Sequence, residues 1–227
     1  MNFSVLKRRS RYSGITYAMI LSVATTIVLL IVEIIKAHSD YYIFLLTNLI
    51  LAFLPLIVAY FLAKRLKKTP WLSFVNILLT LLWLGFLPNS FYMVTDLIHA
   101  QDSVSIDLLY NIVMIMFCIF NSLVAGYMSL YIIHWELLKR FYYKHAHTII
   151  GLVILICSFA IYLGRFLRWN SWDVIVSPAG ILFDVSDTIT NPSTHPELLT
   201  TTVTFFLLLG IIYIVAWQLL GLVRKTE

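Results

Sequence analysis

Charged residues are scarce in this chain of 227 residues, where Lys, Arg, Asp and Glu together make up 12%. The share in an average soluble protein is about 25%. Hydrophobic residues make up 61% and the mean hydropathy is +0.91. These values exclude an ordinary soluble domain. The net charge of +5 is therefore interpreted through membrane topology, and no nucleic-acid partner is inferred from it.

Cysteine is also scarce, and the common catalytic motifs are absent from the sequence. The two cysteines, Cys118 and Cys157, lie in the middle of apolar runs and are interpreted as small core residues. There is no phosphate-binding loop, nucleophile elbow, His-Glu-x-x-His zinc motif or glycine-rich dinucleotide loop. No internal repeat of the kind found in many secondary transporters is visible. A transporter or channel is therefore the least favoured class.

What the chain does have is six apolar runs long enough to cross a bilayer, which takes about 20 helical residues. Helices are expected because hydrocarbon offers no partner to backbone polar groups. We predict an all-α integral membrane bundle in which residues 1–227 form a single domain. The six spans are expected at about 14–35, 41–62, 71–87, 106–132, 148–166 and 200–222.

The charges predict how the spans are oriented. Thirteen of the 16 basic residues lie before the first span, at 64–68, at 139–144 and after the last span. Eight of the 11 acids lie in the other set of loops. The positive-inside rule therefore places both termini in the cytoplasm of a cell membrane. The basic N-terminal segment followed by the first span is typical of an uncleaved signal anchor.

The fourth span carries a stripe of small and weakly polar residues, and the third carries a shorter one. The first stripe consists of Asp107, Asn111, Cys118, Ser122, Ala125 and Ser129, and the second of Asn76 and Thr80, with Trp83 one turn further on. Membrane helices pack through such residues. We therefore expect both stripes to face other helices.

The first outward motif is "FLPNSFYMVTDLIH", which begins at Phe86. A helix that starts at Pro88 places Asn89, Tyr92, Asp96 and His99 on one face, with Thr95 at its edge. This pattern predicts an outer amphipathic helix at about 88–100, lying at the membrane boundary with its polar face outward. A surface helix without function, in which Asp96 and His99 form only a local pair, has the same pattern.

The second outward motif is "LGRFLRWNSWDV", which ends the fifth span. Arg165 lies close enough to the apolar run to be partly in the membrane, where an unpaired guanidinium costs about 1–3 kcal/mol. We therefore expect Asp96 or Asp173 within ion-pair range of Arg165 or Arg168. The tryptophans of this motif also suit an interfacial belt.

The two motifs together resemble an uncharacterised family of small bacterial multi-pass membrane proteins, known as a domain of unknown function. Its pattern is roughly Pro-Asn-x-x-Tyr-x-x-Thr-Asp-x-x-His and Gly-Arg-x-x-Arg-x-Asn-Ser-Trp-Asp. The resemblance covers approximately the third span to the sixth. One departure is the pair Ser90 and Phe91, where the resemblance leads us to expect Ala-Pro. The resemblance implies fold and compartment, and it brings no activity.

The first functional hypothesis is a binding protein or enzyme acting on a lipid or lipid-linked envelope substrate in an extracytoplasmic pocket. Asp96 and His99 would be the acid/base or ligand pair, and Arg165 and Arg168 would hold phosphate or carboxylate. Positioning groups would be Asn89, Tyr92, Thr95, Asn170, Trp172 and Asp173. The alternative is an envelope scaffold in which the same groups form a structural network.

The last outer loop is long for a simple connection and is expected to fold back as a cap. It contains Asp184, Asp187 and His195. Together with Asp96 and His99, these residues could form a carboxylate–imidazole site for a divalent metal such as Zn or Mn. This cofactor hypothesis rests on residue types alone.

The charge distribution gives a direct test of topology. Cysteines introduced at Ser39, Ser103 and Ser193 are expected to react with an impermeant maleimide added outside the cell, whereas one at Thr69 is not. Labelling is read on a gel before and after membrane permeabilisation. Protection at Ser103 together with reaction at Thr69 would reverse the predicted orientation.

Overall fold

The computed structural model describes residues 3–37, 42–101, 108–169 and 173–225. These residues form helices and short connections, with no strand among them. The α-helices are α1 (Phe3–Ala37), α2 (Ile43–Arg65), α3 (Phe74–Tyr92), α4 (Leu108–Leu138), α5 (Tyr143–Phe166), α6 (Asp173–Val176), α7 (Pro178–Thr190) and α8 (Glu197–Lys225). Two 3₁₀-helices, Met93–Gln101 and Pro192–Thr194, follow α3 and α7.

Six of these helical segments are long and apolar enough to cross a membrane, which confirms the predicted all-α membrane fold. They are Thr16–Lys36, Ile43–Arg65, Phe74–Ala100, Leu108–Leu138, Tyr143–Phe166 and Glu197–Gly221. The chain is therefore a multi-pass membrane protein. Its orientation in the membrane stays a prediction.

The third span differs from the sequence prediction at Pro88. The expected new helix does not begin there, since α3 continues through Pro88 to Tyr92 and then tightens into the 3₁₀-helix Met93–Gln101. A proline cannot donate the helical hydrogen bond and its ring crowds the carbonyl one turn earlier, but membrane helices tolerate both effects. Pro55 lies inside α2 in the same way.

The chain divides into two compact units. The first unit contains Met1–Ile50 and Met93–Leu123. Within it, Asn121 of α4 donates to the Thr26 hydroxyl of α1 at 2.8 Å. The Tyr110 hydroxyl donates to the Leu29 carbonyl at 2.8 Å. Two polar contacts therefore join α1 to the first half of α4.

The second unit contains Leu51–Tyr92 and Val124–Glu227. In it α5 packs against α3 and α8. Three hydrogen bonds join other helices: Ser90 to the Ala52 carbonyl at 2.6 Å, Trp83 to Ser129 at 2.5 Å, and Tyr127 to the Leu209 carbonyl at 3.1 Å. Ser90 thus makes an interhelical bond.

The small-residue stripe predicted on α4 is confirmed for its described members. Asn111, Cys118, Ser122, Ala125 and Ser129 are all fully buried, while Asp107 lies outside the described residues. Ile115 and Leu130, which lie outside this stripe on α4, are buried as well. This helix is thus covered by protein on more than one side.

A buried carboxylate binds two basic side chains at the C-terminal end of α4, in the second unit. Glu136 accepts hydrogen bonds from Lys139 and from Arg140, the latter at 2.8 Å. Arg140 also donates to the Leu66 carbonyl just beyond α2 at 2.8 Å, and its guanidinium lies 5.6 Å from the centre of the Trp71 ring. This arginine therefore connects the end of α4 with the end of α2.

The close approach of α3 and α4 predicts a sharp difference between two glycines. A Cβ at Gly126 would lie 2.7 Å from the Cβ of Ser90, whereas a Cβ at Gly151 would meet nothing within 4 Å. Gly126→Ala is expected to destabilise the protein by about 1–3 kcal/mol through overpacking.

Gly151→Ala is the matched control and is expected to stabilise its helix by roughly 0.5–1 kcal/mol. Melting temperatures in one detergent give both values. Equal melting temperatures for the two variants would contradict the close packing of α3 on α4.

Candidate functional site

Asp96 is buried in the first unit, although the sequence predicted an outward polar face. Its carboxylate accepts a hydrogen bond from the Asn48 side chain of α2 at 3.1 Å, and the residue is 2% exposed. The apolar Leu97 and Ile98 are exposed instead. The 3₁₀ geometry explains the difference, because three residues per turn place Met93, Asp96 and His99 in one row. Met93 is fully buried in the same row.

His99 lies beside an aromatic ring of the same unit. Its imidazole meets Phe44 of α2 edge to face, with ring centroids 5.3 Å apart. Thr95 is partly buried within this 3₁₀-helix. Asp96 and His99 thus both contact the first two turns of α2, through a hydrogen bond and a ring contact respectively.

The two outward motifs meet within the second unit, through a tyrosine and a glycine. A Cβ at Gly164 of α5 would lie 3.0 Å from the Tyr92 ring of α3. Glycine at this position therefore lets the ring lie directly against the α5 backbone. Asn89 lies one turn before Tyr92 and is partly buried.

Arg165 lies in the last turn of α5 and Arg168 two residues beyond it, and the sequence predicted that one of them pairs with Asp96 or Asp173. Among the described residues, no ion pair or hydrogen bond is found between either guanidinium and Asp173. Pairing with Asp96, which belongs to the first unit, stays a prediction. Two further predicted site residues, Asn170 and Trp172, lie outside the described residues.

Arg168 adopts a backbone conformation that residues other than glycine seldom take. Its φ is 59°, in the left-handed region that normally favours glycine. The Trp169 N–H turns back to donate to the Leu163 carbonyl at 3.3 Å. The strained residue thus ends the helix and carries an exposed side chain.

A hydroxyl, an imidazole and a carboxylate form a hydrogen-bonded chain near the C-terminal end of α5. His195 Nε2 lies 3.4 Å from Asp187 Oδ2, and His195 Nδ1 lies 2.9 Å from the Tyr162 hydroxyl. Because a carboxylate can only accept, Nε2 carries the proton when the imidazole is neutral, and Tyr162 then donates to Nδ1. Such an order of groups is found where a hydroxyl is activated by a base. Tyr162 is nevertheless 1% exposed, so the hydrogen bonds from Tyr162 through His195 to Asp187 also join the cap to α5.

The segment expected to form the cap contains α6, α7 and the 3₁₀-helix before α8, and its position over the outer face stays a prediction. Trp169 donates to Asp184 at 2.8 Å, and its ring lies over Gly180, where a Cβ would approach it to 2.9 Å. Tyr162, Leu163 and Leu198 form the buried cluster beneath. Asp184 and Asp187 are thus bonded within the cap, and no group of three or more His, Cys, Asp or Glu could hold a metal among the described residues.

Sequence reasoning missed Tyr162 as a partner of His195. One signal was present, because Tyr162 lies three residues before Arg165 and so shares its helix face. The contact with His195 depends on the fold of the cap, which the sequence pattern did not specify.

Comparison with known proteins gives one match. The family model described as "Protein of unknown function (DUF1361)" matches residues 47–215. No curated protein and no solved structure matches the chain.

Asp187 offers a test of the chain of polar groups. Hydrogen bonds from Asn191 and then His195 hold the pKa of Asp187 below the ordinary value of 3.8. A depressed pKa means that these bonds are intact above the ordinary value and are lost as pH falls through the lower, folded value. The Asn191→Ala variant is expected to move the Asp187 titration upward, toward 3.8.

Carbon-13 NMR of labelled aspartates in detergent micelles measures this midpoint, with Asp187→Asn identifying the signal. The matched control is Thr190→Ala, because Thr190 bonds only to backbone carbonyls among the described residues. An unchanged midpoint in Asn191→Ala would show that Asp187 lacks this bond.

Proposed function

The chain belongs to the DUF1361 family of proteins of unknown function, and we propose that it binds an anionic lipid or lipid-linked substrate at the end of α5. The observation that carries the proposal is the pair Arg165 and Arg168. Arg165 lies in the last turn of a membrane-spanning helix and Arg168 two residues beyond it, and no ion pair between either one and an acid of the second unit is found among the described residues. Two positive charges at this helix end would attract an anion.

Arg165 supports the proposal through its depth. It is partly buried in the last turn of a span, where a charged group is costly unless it is paired. The carboxyl end of a helix favours cations by roughly 0.3–1 kcal/mol, which offsets only part of that cost. A phosphate or carboxylate at the membrane surface would supply the remaining stabilisation.

Arg168 supports the proposal through its strained backbone. A left-handed conformation costs about 1–2 kcal/mol in a residue with a Cβ, and glycine would adopt it without strain. The backbone conformation would favour glycine here, so a role for the guanidinium better explains why the residue is an arginine. A guanidinium binds phosphate or carboxylate through two parallel hydrogen bonds.

The surroundings suit a ligand with both a charged and an apolar part. Phe166 lies between the two arginines in sequence and is 44% exposed. Leu155 and Ile156, which lie nearer the middle of α5, are also exposed. An acyl chain could lie along this surface with its head group at the arginines. If the bound lipid is also processed, His195 is a candidate acid/base group, since its partner Tyr162 lies one turn before Arg165.

A second candidate function is the envelope scaffold, and Asp96 favours it. Its carboxylate is buried and bonded to Asn48. Removing one member of such a pair leaves the other unsatisfied, at a cost of about 1–3 kcal/mol. For Asp96 a structural role therefore explains the geometry at least as well as an acid/base role.

Lipid retention tests the proposal. The wild-type protein, purified in mild detergent, is expected to retain phosphatidylglycerol in preference to phosphatidylcholine. Arg165→Gln and Arg168→Gly are each expected to weaken this binding about tenfold or more, as the loss of a charge-assisted bond of about 1.5–3 kcal/mol implies. Native mass spectrometry after lipid titration measures both effects.

Two comparisons make the test specific. Lys144→Gln, which removes an exposed charge near the start of α5, is expected to bind lipid as the wild type does. Arg168→Gly is expected to melt no lower than the wild type, because glycine relieves the left-handed strain. Unaltered phosphatidylglycerol binding in both arginine variants would refute the proposal and favour the scaffold.

A further inference from the structure

Two histidines contact each other across the short connection between α4 and α5. α4 ends at Leu138 and α5 begins at Tyr143, so His134 and His147 each lie four residues from the connection. Their ring centroids are 4.4 Å apart with an interplanar angle of 77°, which is an edge-to-face contact. His134 is fully buried and His147 is partly buried. The two helices of this hairpin therefore meet at a pair of titratable rings.

The pair lies among aromatic rings of α5 and α8. Trp217 of α8 stacks on His134 with centroids 4.2 Å apart and meets His147 edge to face at 5.6 Å. The Tyr143 ring lies beside that of His147, with centroids 3.9 Å apart. Tyr213 forms a hydrogen bond with His134 Nδ1 at 2.8 Å. Because Trp217 contacts both histidines, the pair also joins α8 to the hairpin.

Hydrogen bonding determines which nitrogen of His147 carries the proton. Its Nδ1 lies 2.9 Å from the Tyr143 carbonyl, which can only accept. Nδ1 is therefore protonated, and in the neutral ring Nε2 has a lone pair. This Nε2 and that of His134 are both buried and have no hydrogen-bond partner among the described residues. A proton that His147 takes up in acid therefore binds at a buried nitrogen.

The charged groups near the pair do not offset a positive charge on it. The basic ones that lie close in sequence are Lys139, Arg140, Lys144 and His145. The acid is Glu136, which already accepts hydrogen bonds from the first two of these. Among the described residues, no ion pair joins either imidazole to an acid.

The other helices packed on α5 bring no acid to the pair either. α3 has no charged residue. From α8 the pair is contacted by a phenol and an indole, which are uncharged where imidazole titrates. The basic residues of α8, Arg224 and Lys225, lie two turns or more beyond Trp217 in the helix. A charge on the pair therefore has neutral rings around it.

We propose that His134 and His147 form a proton-operated switch that opens the packing of α4, α5 and α8 around them at acid pH. One imidazolium against a neutral imidazole, with the Trp217 indole stacked on His134, is a favourable arrangement for a single positive charge. A second proton would place like charges on rings whose centroids are 4.4 Å apart and away from water. The closed pair thus accommodates one proton, and the second drives the rings apart.

Proton linkage gives the direction of the response. Two imidazoles that are separated and in water both take up a proton below about pH 6.5. The closed pair takes up only one, so acid favours the arrangement in which the rings are apart. The switch is therefore closed at neutral pH and opens as the pH falls below that value. It is independent of the proposed lipid site, because Arg165 lies at the other end of α5.

Thiol labelling across a pH series tests the switch. Ala146 is fully buried next to His147 in the chain, so Ala146→Cys reports whether the packing has opened. The full-length protein in detergent is treated with 4,4′-dithiodipyridine, which reacts with thiols in acid as well, and mass spectrometry measures the label at position 146. Between about pH 8 and about pH 4, we expect this reaction to rise roughly tenfold or more relative to Thr148→Cys, at an exposed position.

In the Ala146→Cys background, His147→Gln and His134→Gln are each expected to abolish the rise, because a single charge has no like charge to repel it. The matched control His145→Gln removes an exposed histidine and is expected to keep the full rise. If His134→Gln fails to fold, His147→Gln decides the result. No rise with both histidines present, an equal rise in His147→Gln, or loss of the rise in His145→Gln would overturn the switch. A parallel loss of helical circular dichroism would also overturn it, since that identifies acid unfolding.

Discussion

The bilayer removes water as a hydrogen-bonding partner, and polar side chains within the helices must therefore bond to other parts of the protein. Lipid tails are as apolar as leucine, so apolar contact does little to select which helices pack together. In this chain, bonds such as Ser90 to the Ala52 carbonyl and Trp83 to Ser129 make that selection in the second unit. Asn121 bonded to Thr26 does so in the first. The small residues of α4 then allow close approach, as Gly126 does beneath Ser90 and Phe91.

The same constraint separates polar groups that the protein satisfies from those that it leaves incomplete. Asp96 has the Asn48 amide, and Glu136 has two cations. Packing explains how these groups are satisfied. The Nε2 atoms of His134 and His147 have no hydrogen-bond partner among the described residues, and no ion pair of Arg165 or Arg168 with an acid of the second unit is found there. A functional role for Asp96 and His99 stays a prediction.

Much of the fold follows from the sequence, because apolar runs and small-residue stripes depend only on local composition. The six spans and the buried face of α4 are of this kind. The end of α3 is different: Pro88 is a break in a soluble helix, but a membrane helix has no water to bond the freed groups and so continues. The switch to a 3₁₀-helix after Tyr92 then changed the period from 3.6 to 3 and turned Asp96 inward. A helical wheel drawn with 3.6 residues per turn therefore misplaces polar residues that follow Tyr92.

Sites made by distant segments were harder to predict, yet not equally so. The contact of Tyr162 with His195 requires the folded cap, whose α7 helix and Trp169–Asp184 bond have no simple sequence pattern. The contact of His134 with His147 requires only a helical hairpin with a short connection, since residues equally far from that connection lie at the same level of antiparallel helices. Counting outward from the connection is therefore enough to pair the two histidines. Symmetry about a tight turn is a usable signal in membrane proteins, because most connections between spans are short and neighbouring helices run antiparallel.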